Sequence, residues 1–231
     1  LVSAENVPAM GWKGLKIVRA GAPVQFPQSV HAGENLLEND FLRVEISAEG
    51  VVRILDKQTQ TSYERMNIFE DSGDVGDEYN YSYPERDERF ESTQFQPVIH
   101  IIERGPLRAS IQIDQKMVVP ANASSDERSR SSEKIELGVS TVLSLTPLSK
   151  RLDFKTTVRN SVRDHRFRVL FHTGIQIRES YADTPFAVVK REHQEYDNSQ
   201  FHYELPALVS PMQRFVTILD GQKGCTLITK G

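Results

Sequence analysis

The sequence predicts an all-β fold, a large antiparallel β-sandwich, on two observations. Apolar and polar residues alternate with a period of two in most apolar segments, as in Phe41 to Ile46, where Leu42, Val44 and Ile46 share one face. Turn-forming residues separate these segments, and no amphipathic pattern of about ten residues or more indicates a helix. A succession of strands and turns of this kind is typical of stacked antiparallel sheets.

Eight segments carry the strand pattern, and the connections between them predict the domain organisation. The longest polar connection, Pro120 to Lys134, is rich in serine and poor in residues that could be buried, and we expect a mobile hairpin loop. Residues 1–32 are rich in Gly and Pro and are predicted to be a linker or the end of a preceding small β domain, followed by one sandwich domain over residues 33–231. The predicted strands are residues 41–46, 51–56, 98–103, 107–119, 136–146, 152–160, 167–175 and 214–220.

Charge and cysteine content exclude several classes of protein. The 231 residues carry 32 acidic and 28 basic side chains, interspersed over most of the chain, so neither a nucleic-acid surface nor a membrane-binding patch is predicted. No apolar run approaches the roughly 20 residues that span a bilayer, and no signal pattern is present. The single cysteine, Cys225, excludes an internal disulfide and favours a cytoplasmic protein. The absence of an initiator methionine suggests a piece of a longer chain.

The segment Phe69 to Glu91 combines nine carboxylates with three alternating tyrosines. If the segment is extended, Tyr79, Tyr81 and Tyr83 project to one face, bordered by carboxylates. Aromatic faces cover the C–H patches of sugars and carboxylates accept from their hydroxyls, so this pattern suggests a sugar-binding rim. Packing of the tyrosines within the fold and a solvated acidic turn are the alternatives.

A calcium site is a further alternative for the same segment. Asp71, Asp74 and Asp77 recur every three residues, whereas an EF-hand loop draws ligands from alternate positions. The spacing therefore argues against an EF-hand and leaves only a looser calcium site open.

Other chemical motifs are weak. No HExxH pattern and no G-x-S-x-G elbow occurs, and a glycosidase pair of carboxylates is not recognisable from sequence spacing alone. His172 lies within an apolar strand and is predicted to be a hydrogen-bonded core residue. Arg166 and Arg168 share one strand face, which favours cross-strand salt bridges over contact with a ligand carboxylate or phosphate.

Six motifs together resemble a known family. In order, they are VPAMGWKGLKI, LENDFLRVEISAEGVVRILDKQT, FEDSGDVGDEYNYSYP, RFRVLFHTGI, ADTPFAVVKRE and SPMQRFVTILDGQKGCTLITKG. They resemble the C-terminal β region of bacterial α-mannosidases of glycoside hydrolase family 38. The resemblance implies a galactose-mutarotase-like β-supersandwich, truncated at its C-terminus.

The resemblance also implies a division of labour within a longer enzyme. The family hydrolyses α-mannosides with retention, and its aspartate nucleophile and its zinc, held by two histidines and two aspartates, lie in preceding domains. This chain would then be a fragment with no catalytic residue and no metal of its own. Its partners would be the α-mannoside substrate and the N-terminal catalytic domain of the same polypeptide. Association into a homo-oligomer is a further alternative.

The substrate-binding residues implied by the resemblance are Tyr79, Asp77 and Glu78. A tyrosine of the family's β region hydrogen-bonds the bound mannose, and Tyr79 is its positional match, with the two carboxylates beside it. Three alternatives stay open: a free-standing carbohydrate-binding module, part of a mannosylglycerate hydrolase, and a mutarotase-like epimerase with a His and Glu acid-base pair.

Overall fold

The computed structural model describes residues 4, 6–19, 21, 26, 28–193 and 209–230 and confirms the all-β prediction. The described residues form fifteen strands and one short 3-10 helix, Ser92–Gln94. The strands are β1 (His31–Gly33), β2 (Leu36–Glu38), β3 (Leu42–Ile46), β4 (Val52–Asp56), β5 (Thr61–Gly73), β6 (Phe90–Glu91), β7 (Val98–Arg104), β8 (Ala109–Pro120), β9 (Lys134–Leu145), β10 (Asp153–Arg159), β11 (His165–His172), β12 (Glu179–Thr184), β13 (Ala187–Glu192), β14 (Phe215–Leu219) and β15 (Gly224–Ile228).

Each of the eight predicted segments overlaps a strand, but the longest described strand, β5, was not predicted. Alternation fails in β5 because its last eight residues, Met66 to Gly73, are all buried, which requires cover on both faces. Polar residues within this stretch also hide it from a search for continuous apolar runs. Of the described residues that precede His31, none is in a strand, and the predicted boundary at residue 32 stays a prediction.

The strands form three antiparallel sheets. The first sheet has the order β1-β2-β3-β4-β5-β11, with β6 also pairing with β5. The second sheet has the order β10-β9-β8-β7, and the third has the order β13-β12-β14-β15. No helix among the described residues is long and apolar enough to cross a membrane.

The main core lies between the first two sheets. Alternate residues of β3 and β9 point inward, and Val44, Ile111 and Leu143 are completely buried there. Fully burying a side chain of this size contributes about 1.5–3 kcal/mol. A second apolar cluster, which includes Phe69 and Met117, continues the core towards the end of β5.

A β-bulge in β5 sets which of its residues face this core. Asn67 has a φ of 62°, and the register with β11 shifts between Leu170 and Phe171. The extra residue places Met66 and Phe69 on the same inner face, although they are three positions apart. By alternation, Asp71 follows Phe69 on that face, so a carboxylate enters the interior at the end of the strand.

The third sheet is more open than the sandwich. Ala182 and Asp183 are the buried residues among its described strands. It joins the first sheet where the Tyr63 hydroxyl donates to the carbonyl of Gly224 at 2.6 Å and where Cys225 packs against the main core.

Candidate functional site

The predicted site segment forms a closed loop between β5 and β6 rather than an extended strand. The Val75 amide donates to the Ser82 carbonyl at 2.7 Å, which joins the two limbs of the loop. Asp74 Oδ1 accepts from the amides of Gly76 and Ser82 at 3.0 and 3.2 Å. A Cβ at Gly76 would lie 1.8 Å from the Asn80 carbonyl oxygen, so the loop closes only with glycine there.

The three predicted substrate-binding residues lie at the tip of this loop. Asp77 Oδ1 accepts from the amides of Tyr79 and Asn80, both at 2.9 Å, and these bonds hold the pKa of Asp77 below its usual value. Glu78 is exposed, and the side chain of Tyr79 is 83% exposed. Asp77 thus builds the turn, while Tyr79 and Glu78 are presented to solvent.

The three tyrosines do not share one face. Among the described residues, Tyr81 and Tyr83 form a tilted ring pair with centroids 6.4 Å apart, and Tyr79 makes no ring contact. The guanidinium of Arg166 lies over the Tyr81 ring, 4.3 Å from its centroid. Because the segment is not extended, the expected row of three rings is replaced by one exposed tyrosine beside a packed pair.

A buried charged cluster lies at the base of the loop. Asp71 is fully buried; its Oδ1 is 2.5 Å from His165 Nδ1 on β11 and its Oδ2 is 2.6 Å from Arg130 Nη1. The side chains of Arg130 and His165 are 1% and 6% exposed. A buried carboxylate needs such partners, since an isolated charge in the interior is strongly unfavourable.

Arg130 corrects the prediction for the Pro120 to Lys134 segment. The segment connects two hairpin strands, as predicted, but a residue expected to be solvated, Arg130, is buried and points inward. Its Nη1 also donates to the Glu88 carbonyl at 3.1 Å, and its guanidinium lies 5.8 Å from the centre of the Phe90 ring. The segment is therefore fastened to both β5 and the far limb of the site loop.

Further hydrogen bonds fasten the near limb of the loop. The Gly73 amide donates to Asp87 Oδ1 at 2.8 Å, and the Asp74 amide donates to the Asp164 carbonyl at 3.0 Å. Asp164 Oδ2 in turn accepts from the Ala123 amide at 3.1 Å. Three connections, β5–β6, β8–β9 and β10–β11, thus converge at one end of the sandwich.

The outer face of the same strands carries a second ion pair. Arg168 donates from Nη2 to Glu70, and the two residues are direct partners in the β11–β5 register. This contact confirms the predicted cross-strand salt bridge for Arg168. His172 is exposed, so the prediction that it is a core histidine is wrong.

The described carboxylates and histidines do not form a metal site. Within residues 4, 6–19, 21, 26, 28–193 and 209–230, no group of three His, Cys, Asp or Glu could hold an ion. Asp71 and His165 lie together, but the third member of their cluster is the cation Arg130. The described residues therefore do not supply the set of two histidines and two aspartates that holds zinc in the resembled family.

The sequence pattern did not reveal Arg130 or His165. Arg130 lies in a polar segment whose composition predicts exposure to solvent, and His165 lies next to a turn. The usable signal was in β5, where Phe69 and Asp71 are two residues apart and therefore on one face.

Comparison with known proteins identifies close similarity over most of the chain. Residues 37–231 match the family model of the glycosyl hydrolases family 38 C-terminal domain. A putative mannosylglycerate hydrolase of Halalkalibacterium halodurans is 32% identical over 213 residues, which cover 85% of this chain and 23% of that protein.

Two solved structures are also similar. An α-mannosidase from Enterococcus faecalis V583 superposes with a TM-score of 0.81 and 31% identity, over 88% of this chain and 24% of its own. A glycosyl hydrolase family 38 protein from Enterococcus faecalis gives a TM-score of 0.79 and 30% identity, over 90% of this chain and 26% of its own. The chain thus spans only 23 to 26% of the length of these relatives.

Proposed function

Because this chain belongs to the glycosyl hydrolases family 38, as its C-terminal domain, we propose that it is the non-catalytic β domain of an enzyme that hydrolyses terminal α-mannosides with retention. The observation that carries the proposal is the family match over residues 37–231, together with the likeness to a solved α-mannosidase. In this proposal the domain supports the catalytic domain and contributes one wall of the sugar site.

The carboxylates of this chain are consistent with a supporting role. Retention needs a carboxylate nucleophile and a general acid about 5 Å apart across the scissile bond. Asp71 is buried and contacts Arg130 and His165, and Asp77 accepts hydrogen bonds from two backbone amides. We therefore assign the nucleophile and the zinc to parts of the parent enzyme outside this chain.

Tyr79 is the residue we propose to contact the sugar. Its side chain is exposed at the tip of a closed loop, and no described residue hydrogen-bonds its hydroxyl. The phenol can donate to, or accept from, a mannose hydroxyl, and the ring can cover a C–H face. Glu78 offers a second acceptor beside it, and Asp77 holds the turn that presents both.

Tyr79→Phe in the full-length enzyme tests this contact. We expect a loss of about 1–2 kcal/mol of transition-state stabilisation, because one hydrogen bond is removed while the ring is kept. The measurement is kcat/KM for an aryl α-mannoside. Tyr83→Phe, a change in the same loop, is the matched control and should leave kcat/KM unaltered. An unchanged value for Tyr79→Phe would remove this residue from the site.

The location of the catalytic groups is tested by comparing two proteins. This chain alone, supplied with zinc, should not hydrolyse an aryl α-mannoside, whereas a longer protein that includes the preceding domains should do so. Activity in this chain alone would contradict the supporting role and would make its own carboxylates the candidates for catalysis. Sugar binding by this chain alone, measured by calorimetry with methyl α-mannoside, would favour the alternative of a carbohydrate-binding module.

A second candidate substrate is mannosylglycerate, an α-mannoside with a carboxylate. The name of the Halalkalibacterium halodurans relative favours it, and so does Arg166, which no described carboxylate pairs with. Arg166→Met in the parent enzyme would then lower kcat/KM for mannosylglycerate more than for a neutral aryl mannoside. If Arg166→Met lowered kcat/KM by the same factor for both substrates, the neutral α-mannoside would be the better assignment.

We further propose a cytoplasmic parent enzyme that associates into a homo-oligomer. The single cysteine supports the location, since the fold needs no disulfide. Cell fractionation tests the location, and light scattering of the full-length protein tests the oligomeric state.

A further inference from the structure

Arg130 occupies an unusual position for a long charged side chain. It comes from a polar connection on the surface, yet its side chain is 1% exposed and reaches the end of β5. There it contacts Asp71, two residues before Gly73, where the near limb of the site loop begins. Ordering such a long side chain costs rotamer freedom, so its burial requires an explanation.

The same guanidinium reaches the far limb of the loop. Arg130 Nη1 donates to the Glu88 carbonyl at 3.1 Å, and the guanidinium lies beside the ring of Phe90, with which β6 begins. One side chain from the β8–β9 connection therefore contacts both ends of the β5–β6 loop. Both polar contacts are made by the same nitrogen, Nη1, and the guanidinium group adds the contact with the Phe90 ring.

Stability alone does not account for this arrangement. Arg130 Nε and Nη2 are buried and have no hydrogen-bond partner among the described residues. Buried ion pairs are often replaceable by apolar residues without loss of stability. Asp71 also keeps a second partner in His165, at 2.5 Å. An arginine with two unpartnered nitrogens is therefore better explained by what it holds in place.

We infer that Arg130 is a positioning residue for Tyr79, acting through the two ends of the loop that presents it. This inference rests on the proposed contact between Tyr79 and the sugar. Asp71 and Glu88 fix the guanidinium, and the guanidinium fixes the spacing of the loop ends. The closed turn between Val75 and Ser82 then transmits that spacing to the tip.

The test is a double-mutant cycle in the full-length enzyme with Arg130→Met and Tyr79→Phe. If Arg130 acts through Tyr79, Arg130→Met lowers kcat/KM by no more than Tyr79→Phe, about five- to thirtyfold, and has little further effect in the Tyr79→Phe background. Arg130→Lys should also lower kcat/KM, because its ammonium keeps the charge but ends one bond short of the position of Nη1, the nitrogen that makes both polar contacts. Arg128→Met, an exposed change in the same connection, is the control and should behave as wild type.

The outcomes separate the inference from the proposed function. If Tyr79→Phe is impaired but Arg130→Met has no effect, or multiplies the loss in the double variant, the positioning role is overturned and the sugar contact stands. If Tyr79→Phe is unimpaired, both are overturned. Urea unfolding of each variant checks the fold, and loss of activity in Arg130→Met and Arg130→Lys only in proportion to unfolded protein also overturns the positioning role.

Discussion

The loop end of the sandwich and the third sheet each contain a buried aspartate bound by an arginine, but the two pairs differ in what surrounds them. Asp71 meets Arg130 and His165, both of which are buried. Asp183 on β12 meets Arg214, whose side chain is 82% exposed, and also the backbone amides of Arg214 and Phe215 at 2.6 and 2.8 Å.

This difference shows two ways of joining elements with one carboxylate. At Asp183 the backbone amides supply most of the contact, and the exposed guanidinium at 3.0 Å adds little. At Asp71 the partners are side chains from a connection and from β11, so the charges themselves hold distant segments together. The loop end therefore depends on its charged side chains, whereas the third sheet depends on its hydrogen-bonded backbone.

The largest expected effect follows from removing Asp71. Asp71→Ala leaves Arg130 and His165 buried without their carboxylate, and breaking a buried pair in this way costs about 3–5 kcal/mol. The free energy of unfolding, measured by urea titration, should fall by that amount. Asp77→Asn, in the exposed turn, is the control and should leave the midpoint near that of wild type. A loss below about 1 kcal/mol would mean that the loop end is held by other contacts.

The contribution of Asp183 to stability should instead depend on pH. Burial opposes its ionisation, but hydrogen bonds from the Phe215 and Arg214 amides and from the Arg214 side chain hold its pKa below the usual value. A carboxyl with a lowered pKa in the folded state stabilises the fold above its unfolded pKa, about 3.9, and this contribution is lost as the pH falls through the folded pKa.

The corresponding measurement uses Asp183→Asn. The difference in Tm between wild type and this variant should be largest at pH 5 and should shrink as the pH falls below about 4. A difference that is constant over this range would contradict the prediction: it would show that the charge of Asp183 adds nothing and that only its shape and neutral hydrogen bonding matter, which would sharpen the contrast with Asp71.

The sequence revealed the parts of this molecule that follow alternation and hid those that depend on tertiary packing. Strands such as β3 and β9 have one face in the core, so period two predicted them well. β5 is covered on both faces and has a bulge at Asn67. Neither feature produces the alternation of apolar and polar residues by which a strand is predicted. The resemblance pointed to Tyr79 as a candidate sugar contact, but the role of Arg130 depends on a contact between residues 59 positions apart, 71 and 130, which no local pattern encodes.

The smallest expected effect concerns Glu70, the neighbour of Asp71 on the opposite face of β5. Its partner Arg168 is 37% exposed, so water screens the pair, and its removal should cost only about 0–1 kcal/mol. Urea unfolding of Arg168→Gln, Glu70→Gln and the double variant isolates the coupling between them. A coupling as large as the loss in Asp71→Ala would mean that both faces of β5 depend on charge. A small coupling would confine that dependence to the inner face, where Arg130 joins the loop to the core.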